Sequence, residues 1–370
     1  MKTAGKEMAM GGAGLRGGWA AARGRRSEAG RGWAVTAIAA IAAAGMVTGC
    51  GGGGGGGDES PAAAAAASTE KPVEQPILTM PTSTYTGMHA EAFKRINEAR
   101  IAAGVSALKQ SVELDRAAQA HSDYQVRNNV FGHYEDPAHP LFTGVDHTDR
   151  ASAQKYPHQI KVEVVSLASP TLSGSQHIDL HLNSVYHLHG VLTPTANEVG
   201  MGFSTSNTSG RTFGSISTGA TDNRMLTVRN PWMWPAADGV NVPTTFLPAS
   251  EVPNPLPDVA PNTTISVGSP IMYCQRADNA TRLEISSTSL IEQASKKSEP
   301  VWLLKHASAL VSNAASAEIR SDPNATQSAA HCVFLIPKSP LKPQTRYEAS
   351  ITAVRNGIPT DTRWSFLTGN

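Results

Sequence analysis

Phe93-Lys94-Arg95-Ile96-Asn97-Glu98-Ala99-Arg100-Ile101-Ala102-Ala103-Gly104 is the stretch on which the reading of the fold turns. Phe93, Ile96, Arg100 and Ala103 recur at helical spacing, and Gly104 stands where a helix would stop. Leu108 and Leu114 lead into a second helix, whose largely apolar face carries Leu114, Ala117, Ala118, His121, Tyr124 and Val126. A polar loop with Pro137, Pro140 and Gly144 spans 135–148. A short strand is expected at Lys161–Ser166 and a helix around Gln176–Ser184. Two β-rich runs, Glu198–Ser206 and Arg211–Thr218, flank a Ser209-Gly210 turn. Helices on both sides of a small antiparallel sheet make an α-β-α sandwich over 87–220.

The same residues resemble a known family. Ile96-Asn97-Glu98-Ala99-Arg100, Gly104, Leu108, Leu114-Asp115-Arg116-Ala117-Ala118, His121-Ser122, Tyr124 and Asn128 look like the opening helices of bacterial CAP-superfamily (SCP-like) domains. Phe131-Gly132-His133 resembles that family's first cavity histidine, and Phe142-Thr143-Gly144 with Asp149-Arg150 its middle loop. Asn183-Ser184-Val185-Tyr186-His187, Leu192, Pro194 and Glu198-Val199-Gly200-Met201-Gly202 look like the segment that carries the second histidine. The resemblance implies a central cleft lined by His133, His187 and the acidic Glu163, which in some family members holds a divalent metal. The chain departs from the pattern around Glu163, where the family's glycine and asparagine are missing. It also has His181 where an aromatic residue is expected and Leu188 where an arginine is usual, and a second acidic residue has no counterpart.

Two neutral imidazoles and one carboxylate can hold zinc or another divalent metal and leave a position open for water. Such a water ionises near pH ~7, and the metal polarises an ester or amide. The same cleft can instead anchor an anionic ligand. The other histidines read as structural or exposed. His177 and His181 lie four apart, but the zinc-protease pattern needs a glutamate directly after the first, and Ile178 is there. His181 is expected as a partly buried, hydrogen-bonded stand-in for a core aromatic, and His121 as a satisfied core histidine. His187 and His189 should point to different sides of a helix. His139, His147 and His158 fall in loop sequence and are expected to face solvent. None of these is expected to be a ligand. No Gly-x-Ser-x-Gly elbow or strand-borne phosphate loop is present.

Residues 1–50 read as a secretory signal: a basic start, an apolar run from Ala34 to Met46, then Val47-Thr48-Gly49-Cys50. Small residues leading into a cysteine resemble the lipobox of bacterial lipoproteins, which implies lipidation at Cys50. The Gly- and Ala-rich 51–86 is expected to be a flexible tether. Export places the chain where disulfides persist, so Cys274 and Cys332 are expected to pair. If they lie on facing strands, the closed loop is worth about 4 kcal/mol in the chain-entropy model.

A Pro-rich connector and the start of the next domain occupy 221–262. Over 263–370, alternating runs at Thr264–Val267, Ile271–Cys274, Arg282–Ser286, Val301–Leu304, Cys332–Ile336, Arg346–Val354 and Arg363–Thr368 suit an all-β, immunoglobulin-like sandwich. The Thr345-Arg346-Tyr347 and Trp364-Ser365-Phe366 segments look like bacterial Ig-like modules. The expected fold is therefore α+β, a CAP-type sandwich followed by an Ig-like one. Lys and Arg total 31 against 30 Asp and Glu, so the charge offers nothing to nucleic acid. The expected protein is extracytoplasmic and anchored to the cell envelope, at the outer membrane if the source is Gram-negative. It binds a lipid, peptide or wall fragment in the His133/Glu163/His187 cleft. The alternatives are a metal-dependent hydrolase, with His133 and His187 holding the metal and Glu163 as base, and a structural or adhesion protein.

Overall fold

The computed structural model describes residues 75–370 apart from 222–227, 277–282, 313–316, 325–329 and 356. The expected signal peptide, Cys50 and the tether up to residue 74 lie outside the described residues. The last part of that expected tether is pinned to the folded chain. Ile77 donates its N–H to Ser106 Oγ, and Thr84 donates to Gln110 Oε1. Tyr85 hydrogen-bonds Asp115.

Helix α1 (Gly87–Ala103) ends where the sequence places its stop, with Gly104 left-handed at φ 79°. Strand β1 (Lys109–Gln110) precedes α2 (Val112–Asn128), whose N-cap Ser111 accepts from the Leu114 N–H. The loop read as polar over 135–148 runs into α3 (His147–Ala153), capped by Asp146. Strand β2 (Gln159–Ala168) leads to α4 (Gly174–Leu182), opened by a Ser173/Gln176 capping box. A short α5 (Tyr186–Val191), the helix on which the sequence places His187 and His189, separates α4 from the hairpin β3 (Glu198–Thr205) and β4 (Thr212–Ala220).

These strands form one sheet in the order β1-β3-β4-β2, with β1 parallel to β3 and the other pairs antiparallel. The pleat of β3 sorts the layers. Val199 and Met201 enter the core with Ile96 of α1 and Ile178 of α4. Gly200 and Gly202 face α2 so closely that a Cβ would lie 2.1 Å from the Leu114 carbonyl carbon and 2.3 Å from the Gln119 nitrogen. Arg100, fully buried, donates to the carbonyl of Ser106 just after its own helix and ties α1 to the end of α5 and the α5–β3 loop through the carbonyls of Val191, Thr193 and Ala196, all at 2.7–3.0 Å.

Beyond residue 228 come β5 (Trp232–Trp234), β6 (Gly239–Val242) and a 3-10 turn at Pro248–Ser250. The strands that follow are β7 (Ile271–Cys274), β8 (Glu284–Glu292), β9 (Val301–Lys305), β10 (Leu310–Val311) and β11 (Ala317–Ser321). The last are β12 (Cys332–Pro337), β13 (Arg346–Arg355) and β14 (Ile358–Thr368). Two five-stranded sheets result, β10-β8-β13-β14-β6 and β11-β9-β12-β7-β5. Their facing sides share a core that includes Tyr273, Leu303, Leu335, Ile351 and Phe366. Thr264–Val267, expected as a strand, makes only an isolated bridge from Val267 to Phe246.

Cys274 and Cys332 are bonded. The bridge does not span facing strands: the two cysteines are direct cross-strand partners of the neighbouring strands β7 and β12 in one sheet. With Met272, Trp302, Leu304 and Phe334 they belong to that sheet's other face, which enters the same core as Ile96, Leu188 and Val191 of the α/β part. The hydrophobic core thus runs without a break from α1 to β12.

Candidate functional site

His133 follows Gly132 in the loop after α2 and accepts or donates at Nδ1 to Glu163 Oε1 at 3.1 Å. Glu163 stands on β2, the edge strand of its sheet, and is buried. Arg150 of α3 holds both carboxylate oxygens from Nη2 at 2.6 and 2.8 Å and reaches the His133 carbonyl at 3.1 Å. Arg150 Nε also lies 3.8 Å from Glu135, whose carboxylate takes a 2.9 Å contact from His121 Nδ1. His121 is satisfied at its other nitrogen by the Gly132 carbonyl, so its structural reading stands. Burial alone would push the Glu163 pKa up, but His133, Arg150 and His121 together bring it down to about 2.

His187 sits in the first turn of α5. Glu251, buried in the Pro-rich segment, accepts from the N–H groups of Val185, Tyr186 and His187 at 2.8–3.1 Å and meets His187 Nδ1 at 3.0 Å. One carboxylate therefore both caps the helix and orients the ring. Each of the two cleft histidines has Nδ1 engaged by a carboxylate, and among the described residues no hydrogen bond involves Nε2 of either ring.

His133, Glu163 and His187 all line one cleft of about 420 Å³, together with Asp146, Lys161 and Tyr186. His147 and His189 line it as well. His147 is not the exposed loop residue the sequence suggests: it opens α3 and is half-buried, and burial lowers its pKa. A second, larger cleft of about 940 Å³ adjoins, lined by Phe131, Leu172, Leu180, Phe246, Leu247 and Arg211 among others. His187 lines both.

His181 corrects another expectation. It is buried, tilted against the His187 ring at 5.3 Å between centroids, and its Nε2 has no partner among the described residues. Burial, then the His187, His177 and His133 charges, holds its pKa well below the ordinary value.

A zinc ion shared by His133, Glu163 and His187 does not fit this arrangement. Among the described residues one set of three or more His, Cys, Asp or Glu side chains brings ligand atoms within 4.8 Å of one another, and it is His189, His331 and Cys332. Backbone geometry explains the divergence. Glu163 meets α3 and the His133 loop, whereas Val162 and Val164, on the opposite side of the β2 pleat, pack against Gly190 of α5, the helix that carries His187. Glu163 is moreover committed to Arg150. It orients His133 rather than sharing an ion with His187.

Sequence reasoning did not single out Glu135 or Glu251, and it set His147 and His189 aside as non-ligands. Arg150 appears in the Asp149-Arg150 pair, but its tie to Glu163 is a tertiary contact. Glu251 lies in the Pro-rich segment just before Val252-Pro253, with no pattern to connect it to His187 of α5, 64 residues earlier.

Residues 93–216 match the profile of the CAP family, described as the cysteine-rich secretory protein family. A search of curated proteins gives no match. Among solved structures, an outer surface protein from Borrelia burgdorferi is 16% identical, with a TM-score of 0.30 over 36% of this chain and 92% of that one. An extracellular protein containing a SCP domain from Bacillus anthracis str. Ames is 18% identical, with a TM-score of 0.29 over 36% of this chain and 41% of that one. The buried Arg100 clamp and the glycine-backed α2–β3 contact fall within the matched segment, as do His133, Glu163 and His187, although Val252 and Pro253 beyond it also line their cleft. Residues 93–216 of this chain form a CAP domain.

Proposed function

We propose that this chain is an exported protein, lipid-anchored at Cys50, whose CAP domain captures an anionic amphiphile. The polar end would sit among His133, Lys161 and His187, and the apolar part would lie along the adjoining groove past Leu180 and Leu247. The observation that carries this reading is the position of His187, which lines both the polar and the apolar cleft. Leu180, Phe131 and Leu247 are exposed at 47%, 52% and 38%, an apolar edge that an occupant would cover. The two carboxylates nearest the histidines are already answered, Glu163 by Arg150 and Glu251 by the α5 N–H groups, so an incoming anion meets little repulsion from them. The disulfide suits an oxidising compartment, which supports export. The C-terminal pair of sheets, which we read as an Ig-like module, would serve as the platform that holds the CAP domain clear of the anchor.

A hydrolase that uses Glu163 as its base has less support. A carboxylate with a pKa of about 2, bridged to an arginine, is a weak proton acceptor at neutral pH. Binding of a fluorescent fatty acid to the full-length protein tests the proposal. His187→Ala and Leu180→Glu should each weaken it by about tenfold or more, equivalent to about 1.4 kcal/mol. Unchanged affinity in both variants would remove the amphiphile from this cleft, and displacement of the probe by wall peptides alone would redirect the assignment to them.

A further inference from the structure

His189 and His331 meet beside the disulfide, where the CAP domain packs on the sheet β11-β9-β12-β7-β5. His189 belongs to α5 and His331 directly precedes β12; their ring centroids are 6.4 Å apart. One nitrogen of each ring and Cys332 Sγ lie within 4.8 Å of one another. Cys274 Sγ, bonded to Cys332 Sγ, lies beside that set but is not part of it. His331 Nε2 is buried without a hydrogen-bond partner among the described residues, and no side-chain hydrogen bond there engages His189. A disulfide sulfur is a poor ligand, whereas a thiolate is a strong one. The position therefore offers two ligands while the bridge is closed; once it is open Cys332 adds a third, and Cys274, freed beside it, can turn in as a fourth.

We propose that reduction of the Cys274–Cys332 bridge converts this seam into a two-thiolate, two-imidazole site for a divalent cation of zinc type. A dithiol supplies the two electrons and two protons: its own sulfurs join as a disulfide, the Cys274–Cys332 bond breaks, and two thiols result. Metal binding then forms two metal–sulfur and two metal–nitrogen bonds and releases the two thiol protons, with no change in the metal's oxidation state. A tetrahedral site with bonds of about 2.3 Å to sulfur and 2.0–2.1 Å to nitrogen holds its sulfurs about 3.8 Å apart. Rotation of the two cysteine side chains provides that separation, because the β7–β12 ladder keeps their Cα atoms 4.1 Å apart as direct partners. Cys274 and Cys332 are buried, but His189 lines the polar cleft, which gives an ion its way in. Bridge and metal exclude each other, so oxidation expels the ion and reduction admits it. The bridge ties β7 to β12 within one sheet, whereas a metal held in part by His189 would also fasten α5 to that sheet, and no amphiphile is needed for the site to form.

Cobalt(II) is the probe. The full-length chain carrying Cys50→Ser is prepared in two forms: kept throughout in a phosphine reductant, and with the bridge closed. The reduced form should take up one cobalt per chain with thiolate-to-cobalt charge-transfer absorption, and zinc should displace it. The closed form should show no such band. The double variant His189→Ala/His331→Ala should bind cobalt about tenfold or more weakly. Zinc should also slow alkylation of both Cys274 and Cys332 in the reduced protein, read by mass spectrometry, a measurement that needs no folded variant. A reduced chain without the charge-transfer band, unprotected thiols in the presence of zinc, or undiminished affinity in the histidine variant would overturn the proposal.

Discussion

Glu163 shows how a single side chain makes the CAP domain sensitive to acid. Its folded pKa, about 2, lies below the ordinary 4.5, so its ionised form stabilises the fold fully above about pH 4.5. That contribution is lost as pH falls toward 2, and the linkage is worth about 3 kcal/mol. His189, held down to about 4 by burial and then by His331, acts earlier and with the same sign. It is neutral when folded, while the unfolded chain takes up a proton below about pH 6.5, so stability begins to fall there. Denaturant unfolding followed from pH 7.5 to 2.5 should show losses beginning below pH ~6.5 and steepening below ~4.5, and Glu163→Gln should flatten the lower part. An unchanged profile in that variant would remove the carboxylate from the account. Arg100 is the other informative residue. It donates to four buried carbonyls at once, so Arg100→Met should cost about 3 kcal/mol or more in chemical denaturation. A loss under about 1 kcal/mol would mean that water replaces the guanidinium.

Among the elements, α5 and β3 depend most on contacts the local sequence does not announce. Helix α5 has six residues and no side-chain cap of its own; Glu251 supplies the acceptor for the N–H groups of its N-cap residue Val185 and of Tyr186 and His187. Glu251→Ala should destabilise the protein by about 2–3 kcal/mol and also loosen His187, seen as a changed His187 ring signal in NMR. Glu251→Gln keeps an acceptor oxygen and should cost less. Strand β3 lies against α2 with only hydrogen at Gly200 and Gly202. Gly200→Ala puts a methyl into the α2 backbone and should cost about 3 kcal/mol, whereas Gly210→Ala, in a turn with open space around it but φ 59°, should cost about 1 kcal/mol. Equal effects at the two glycines would contradict the close α2–β3 contact.

For the molecule as a whole, the decisive feature is the core that α1, α5 and the outer face of the β12 sheet share. A fragment ending at residue 220 would expose Leu188, Val191 and their neighbours to water and would lose the Glu251 cap. It should therefore be less soluble and melt at a lower temperature than the full chain, which calorimetry would register. A fragment as stable as the intact protein would show that the shared core contributes little. The bridge adds a second constraint at this scale. Its cysteines are separated by 58 residues, and opening it without metal should lower stability by about 4 kcal/mol.

Local sequence determined where α1 starts its apolar face and stops at Gly104, the period-two hairpin of β3 and β4, and most of the later strands, because each is written in spacing and turn residues a few positions apart. It also marked His133, Glu163 and His187, through motif resemblance, as residues of one cleft, and the structure sets all three along it. Only tertiary structure decided what those residues touch. Arg150 meets Glu163 across 13 residues and Glu251 meets His187 across 64, distances over which periodicity carries no information. The pairing of Cys274 with Cys332 within one sheet, and the placing of His189 beside them, likewise follow from how the β12 sheet packs on α5. Burial and charge at a site are set by neighbours in space. A chain read along its length names the side chains, and folding alone decides which of them share a volume.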